Sequence, residues 1–159
     1  MRALFRFTFL SNVQPYYLVL VLYFSHILHS FTLGASVWAI VQIAQAILEI
    51  PTGVVSDRVG RVISIQAGAL AGLGALLIYT LTKSYPILVV GAVLHGLSYA
   101  MFSGNNNALL YDSARQAGEK DDFHRYYSKI NIALEVGGII AAVTGTALAA
   151  ISYSLVLWI

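Results

Sequence analysis

The sequence predicts an all-α fold, a polytopic bundle of about five transmembrane helices. First, 58% of the 159 residues are hydrophobic and only 10% are charged, whereas soluble domains contain about 45–50% apolar and about 25% charged residues. Second, the apolar runs reach the roughly 20 residues that a helix needs to cross a bilayer. Third, most charged residues lie between these runs. Such a chain cannot cover itself with a water-facing surface, and we expect an integral membrane protein.

The first span is predicted at about residues 7–29 and the second at about 35–55. The third follows at about 62–81, the fourth at about 86–111 and the fifth at about 130–159. The first run is too long for the apolar core of a signal peptide, and no clear small-residue cleavage site follows it. Three connections are short. The fourth, residues 112–129, is polar, and its alternating charges and aromatics predict a short surface helix.

The distribution of Lys and Arg predicts the orientation. With the N-terminus inside, the only cation in an outside loop is Lys83. The inside segments carry the other eight, which are Arg2, Arg6, Arg58, Arg61, Arg115, Lys120, Arg125 and Lys129. The positive-inside rule therefore places the N-terminus, the loop between the second and third spans and residues 112–129 in the cytoplasm. We expect a multi-pass protein of the cell membrane.

Small residues within the spans predict close packing between helices. The third span contains Gly68, Gly72 and Gly74, which include a GxxxG spacing, and the fifth contains Gly137 and Gly138. Lipid gives helices no hydrophobic reason to associate, so small residues that let two backbones approach are typical of helix interfaces in membranes.

A charged motif joins the second and third spans. Gly53, Asp57, Arg58, Gly60 and Arg61 fit the pattern G-x-x-x-D-R-x-G-R. Glycines permit a sharp turn, and Asp57 can cap a helix start or face the positive end of another helix. Arg61 can pair with a carboxylate on a neighbouring helix. The alternative is that the charges only anchor the loop in the cytoplasm, with Arg58 facing lipid phosphates.

This motif, placed after the second span, resembles the signature loop of the major facilitator superfamily of secondary transporters. The stretches EIPTG at 49–53 and SG…ALLYDS at 103–113 also look like one branch of that superfamily. The resemblance covers essentially the whole chain. It implies the N-terminal half of a twelve-helix transporter and a latch that holds the outward-open state. In that latch Asp57 meets a helix of the second half, while Arg61 pairs with the acidic residue that ends the fourth helix, here Asp112.

The sequence departs from the family in three places. Val62 stands where many members have a further basic residue. Ala92 stands where drug–proton antiporters often have an arginine, and Gly137 and Gly138 lack the proline of the motif in their fifth helix. These departures speak against drug–proton exchange by that route.

Polar residues inside predicted spans are candidates for a cavity or a coupling ion, because polar groups are costly in lipid. These are His26, Gln42, His95 and Glu135. For His95 the alternative is a hydrogen bond to a neighbour, and for Glu135 it is a structural ion pair. Glu49 is interpreted as mainly structural. His26 and His29 share a helix face, but two ligands do not make a metal site.

The sequence thus predicts a secondary active transporter of a small solute that works by alternating access. We expect no metal, no cofactor, no catalytic site and no nucleic-acid partner. The expected partners are membrane lipid, the substrate, a coupling ion and the C-terminal half of the same transporter. With about five of twelve helices, the chain is expected to be an N-terminal fragment that is inactive alone. The alternative is a small polytopic protein that acts through self-assembly or a partner subunit. A membrane enzyme that uses His26, His29 and the acidic loop is a third possibility.

Overall fold

The computed structural model describes residues 14, 16, 19–116 and 123–152, with side chains described in these ranges except at 104–126. Every regular element in these ranges is a helix, which confirms the all-α prediction. The five helices are α1 (Leu20–Leu28), α2 (Phe31–Val59), α3 (Arg61–Leu81), α4 (Tyr85–Gln116) and α5 (Phe123–Ala149).

The described helices have the length and composition of membrane spans. Four segments qualify by these criteria within the described ranges, namely Phe31–Val59, Arg61–Leu81, Tyr85–Ser103 and Tyr127–Ala149. Their exposed surfaces carry large aliphatic side chains such as Ile47, Leu70, Val90 and Ile139. Of the first predicted span, residues 7–29, α1 covers the last part, and residues 1–13 lie outside the described ranges. The polytopic bundle is confirmed for the described chain.

The helices extend beyond the predicted spans at their polar ends. α2 continues to Val59 and α3 begins at Arg61, so the expected loop is reduced to Gly60. α4 continues to Gln116 and α5 begins at Phe123, so most of the polar segment 112–129 forms the ends of these two helices. Residues 117–122 lie outside the described ranges. A hydropathy pattern gives the apolar part of a helix, whereas Arg, Gln and Ser can continue the helix past it at little cost.

The chain divides into two compact units. The first is formed by residues 20–105 and holds α1, α2, α3 and most of α4. The second combines residues 1–19 with 106–159, and its main described element is α5.

Aromatic and aliphatic side chains together form the core of the first unit, and the aromatic contacts join α1 to α3. Tyr79 of α3 is fully buried, and its ring meets that of Phe24 edge-on, with the centroids 4.8 Å apart. The Tyr23 hydroxyl donates a hydrogen bond of 2.8 Å to the Tyr79 carbonyl oxygen. These two contacts fix α1 to α3 and give the buried phenol the partner that a polar group needs in an apolar environment.

Glycines allow the helices of the first unit to pack close together. A Cβ atom at Gly96 of α4 would lie 2.6 Å from both the Val41 carbonyl oxygen and the Ala44 Cβ of α2. On the other side of α4, a Cβ at Gly72 of α3 would lie 2.9 Å from the Ser98 hydroxyl. α4 therefore packs against the α2 backbone and against the glycine face of α3, as small residues allow in membranes.

Replacement of Gly96 by alanine is expected to destabilise the fold. The added methyl group would overlap the α2 backbone, and overpacking of this kind costs about 1–3 kcal/mol. The matched control is Gly138→Ala in α5, where a Cβ would meet nothing within 4 Å. Thermal unfolding in detergent should show a lower midpoint for Gly96→Ala and an unchanged or higher midpoint for Gly138→Ala. Equal midpoints for the two variants would contradict the close approach of α4 and α2.

Candidate functional site

A single residue, Gly60, separates α2 from α3. Its backbone has φ 97° and ψ 144°, a conformation that is strained for residues with a side chain. The Gly60 N–H donates to the Ser56 carbonyl oxygen at 2.9 Å, and the Gly60 carbonyl oxygen accepts from the Ser64 N–H at 3.2 Å. The Ser64 hydroxyl donates to the same oxygen, also at 3.2 Å. Gly60 therefore ends one helix and starts the next, which keeps Asp57, Arg58 and Arg61 in one compact corner.

Asp57 at the end of α2 and Arg61 at the start of α3 lie on opposite sides of this turn. Arg61 Nη2 lies 3.8 Å from Asp57 Oδ1, and the Asp57 side chain is 70% exposed. An ion pair this exposed contributes less than about 1 kcal/mol to stability. Arg58 is also exposed. Asp57 thus has a fixed position in the last turn of α2. Because its ion pair with Arg61 is weak, Asp57 can exchange Arg61 for another partner at little cost in free energy.

The two other residues of the predicted latch, Gly53 and Asp112, lie on α2 and α4. Gly53 lies inside α2, where an added Cβ would meet nothing within 4 Å. Asp112 lies on the helical backbone of α4, but its side chain is outside the described part of the structure. The pairing of Arg61 with Asp112 stays a prediction.

His95, one of the cavity candidates, lies in the core of the first unit, where it is 2% exposed. The Tyr79 hydroxyl is 3.4 Å from His95 Nδ1, at the long end for a hydrogen bond. The ring of Tyr99 lies 4.6 Å from the imidazole, centroid to centroid, and that of Trp38 lies 6.4 Å away. The imidazole is therefore packed among aromatic side chains from α2, α3 and α4.

The other candidates, His26, Gln42 and Glu135, are exposed. Gln42 lies on α2 in the first unit, whereas Glu135 lies on α5 in the second. Across the described residues, no group of three or more His, Cys, Asp or Glu side chains is arranged to hold a metal ion.

A contact that the sequence alone does not predict links α2 to α4. The Ser103 hydroxyl donates a hydrogen bond of 2.5 Å to Glu49 Oε1. Glu49 belongs to EIPTG and Ser103 to SG…ALLYDS, the two stretches that look like one branch of the family. The sequence signal for this contact is that both stretches occur together, because polar residues typical of the same branch are candidates for contacting each other.

Glu49 stands on a polar face of α2. Trp38, Gln42, Gln45 and Glu49 follow one another at intervals of four, three and four residues, which places them on one side of a helix. Exposed Ile43, Ile47 and Ile50 lie on the opposite side. α2 thus has one face suited to lipid and another that is not.

Comparison with known proteins adds one match. The family model described as Major Facilitator Superfamily matches residues 3–159, nearly the whole chain. The matched range includes the motif from Gly53 to Arg61, and it confirms the resemblance that the motif and its place in the chain indicated. No curated protein and no solved structure gives a significant match.

Substitution of Gly60 by alanine is expected to cost about 1–3 kcal/mol of stability, because an L-residue would be strained at φ 97°. Gly53→Ala, seven residues earlier in the same motif, is the matched control. It places a methyl group in open space inside a helix, where alanine is favoured over glycine by up to about 1 kcal/mol. Chemical unfolding in detergent micelles measures both variants. A Gly60→Ala variant as stable as Gly53→Ala would show that the turn does not need glycine.

Proposed function

The chain belongs to the major facilitator superfamily of membrane transporters, and we propose that it forms part of a secondary transporter that moves a small solute by alternating access. The observation that carries the proposal is the family match over residues 3–159. The corner built by α2, Gly60 and α3 supports it, since the motif residues are gathered there at the ends of two helices.

Within this function, Asp57 and Arg61 are proposed to act as a conformational latch. In the outward-open state, Asp57 would face the positive N-terminal end of a helix in the other half of the transporter. Arg61 would pair with Asp112 at the end of α4. The weak, exposed pair that Asp57 now makes with Arg61 supports this role, because an exchange of partners then costs little.

The family architecture of two six-helix halves supports a further part of the proposal. The five described helices would belong to the N-terminal half, and the helix facing Asp57 would come from a C-terminal half of the same transporter. The N-terminus and the Asp57 corner would lie in the cytoplasm, as the distribution of Lys and Arg indicates. A small-molecule substrate would then pass between the two halves.

The orientation can be tested by cysteine labelling, since the chain contains no cysteine. Val59→Cys at the end of α2 and Ser84→Cys before α4 change no charge, and both native side chains are exposed. In intact cells a membrane-impermeant maleimide should label Ser84→Cys, whereas Val59→Cys should be labelled only after the membrane is permeabilised. The opposite pattern would reverse the proposed orientation.

The latch can be tested with Asp57→Asn in the full transporter. Loss of the carboxylate should reduce transport by roughly tenfold, as expected for a coupling free energy of about 1.4 kcal/mol, while the amount of protein in the membrane stays unchanged. Uptake and efflux of labelled sugars, amino acids and organic cations by cells give the readout. Lys83→Gln, which removes one charge outside the motif, is the control. Normal transport by Asp57→Asn would exclude the latch.

A further inference from the structure

We propose that Pro51 and Thr52 form a hinge within α2, and that bending at this hinge moves Asp57 relative to the part of the helix that precedes it. The role that this motion gives to Asp57 rests on the latch proposed above, whereas the hinge itself rests on the structure of α2. Three observations carry the inference. They are an interrupted ladder of backbone hydrogen bonds, a firmly held segment before it and a largely exposed segment after it.

The first observation is the position of Pro51. It lies in the interior of α2, which is one continuous helix from Phe31 to Val59. Proline has no backbone N–H, so it cannot donate to the carbonyl oxygen of Ile47 four residues earlier, and its ring crowds that carbonyl group. One hydrogen bond of the helix is therefore missing at this level. Sharp bends in helices occur at such positions.

Thr52 supplies hydrogen bonds next to this gap. Its hydroxyl donates to the Leu48 carbonyl oxygen at 2.8 Å and to the Glu49 carbonyl oxygen at 3.2 Å. Bonds of this kind from a threonine to the preceding turn often bend helices. In membranes they also supply donors to the backbone near a proline. The carbonyl oxygens around the gap thus keep a donor when the helix bends.

The second observation is that the part of α2 before the proline is held against α4 at three levels. The Ser36 and Tyr85 hydroxyls lie 2.9 Å apart. Gly96 lies against the α2 backbone, where a Cβ atom would overlap it. The Ser103 hydroxyl donates to Glu49 Oε1 at 2.5 Å. The last of these contacts is two residues before the proline, so the helix is fixed almost up to the proposed hinge.

The third observation is that the part of α2 after Thr52 is largely exposed. A Cβ atom at Gly53 would meet nothing within 4 Å, and residues 54, 55 and 57–59 are exposed. Ser56 is buried, but its side chain is small and offers few atoms for van der Waals contact. A change in the direction of this segment therefore disturbs little packing within the first unit.

The length of this segment determines how far Asp57 moves. Asp57 lies six residues beyond Pro51, which is about 9 Å along the helix. A bend of about 20° at Pro51 therefore displaces Asp57 by about 3 Å. An ion pair needs its charged atoms within about 4 Å, so this displacement is enough to make or break a contact of the carboxylate. Because only Gly60 separates α2 from α3, Arg61 moves together with Asp57.

Distances between nitroxide spin labels test the hinge in the full transporter, which is reconstituted in lipid and carries no other cysteines. Ser84→Cys before α4 provides the common label. Val59→Cys is paired with it to report on the segment after the hinge, and Ile47→Cys to report on the segment before it. All three native side chains are exposed. We expect a broad distribution of distances for the Val59 pair and a narrow one for the Ile47 pair.

Pro51→Ala restores the missing N–H and should stiffen α2. The Val59 distribution should then become narrower, while the Ile47 distribution stays unchanged. Pro86→Ala is the matched control, because Pro86 lies in the first turn of α4, where an N–H has no acceptor within the helix. It should leave both distributions as they are in the native protein. The hinge is excluded if Pro51→Ala does not change the width of the Val59 distribution, or if both pairs change alike.

If Pro51→Ala does not elute as a single folded species, Thr52→Val replaces it. Loss of the hydroxyl removes the bonds to the preceding turn and should alter the width of the Val59 distribution, whereas Thr52→Ser, which keeps a hydroxyl, should not. An unaltered distribution in Thr52→Val then refutes the hinge. These distances do not depend on transport. A hinge seen in the distances together with normal transport by Asp57→Asn would refute the latch and leave the hinge in place.

Discussion

The first unit depends on the approach of two backbones at Gly96. Apolar side chains gain nothing by leaving lipid for a helix interface, so α2 and α4 stay together through close packing and hydrogen bonds. Gly96 makes that packing possible because α4 can reach the Val41 carbonyl oxygen. The contact sets the distance between the two helices, and only at that distance do Ser36 and Tyr85 meet on one side of Gly96 and Glu49 and Ser103 on the other.

Tyr79 connects this helix pair to the remainder of the unit. Its ring fits against Gly91 of α4, where a Cβ would lie 2.9 Å from the ring, and its carbonyl oxygen binds Tyr23 of α1. The phenol also reaches His95. Polar and aromatic groups thus meet where three helices pack together, beside buried aliphatic side chains such as Val41 and Leu88, and further aliphatic side chains cover the outer surface. This distribution explains how a unit with four tyrosines and one tryptophan remains suited to lipid.

The sequence could predict the properties that local composition determines. The helices and the motif at Gly53–Arg61 were found because hydropathy and short-range spacing encode them. Contacts between distant residues were not predictable in this way. Glu49 and Ser103 lie 54 residues apart, and their meeting depends on the rotation and depth of two helices. The burial of His95 depends on the same relation, since nothing in its neighbouring residues distinguishes a core position from a cavity. Polar residues before Gly60 predict a loop, but they continue α2 to Val59, and the turn is therefore shorter than the hydropathy pattern indicates.

The one-residue link at Gly60 also has a mechanical meaning. A residue has only two soft backbone torsions, and the hydrogen bonds to Ser56 and Ser64 restrain both sides of this one. No slack separates α2 from α3, so a tilt of one helix is passed directly to the other. The corner therefore behaves as a rigid joint, because both backbone torsions of the linking residue are restrained. Any displacement of the Asp57 end of α2 is therefore carried along the length of α3 to its far end.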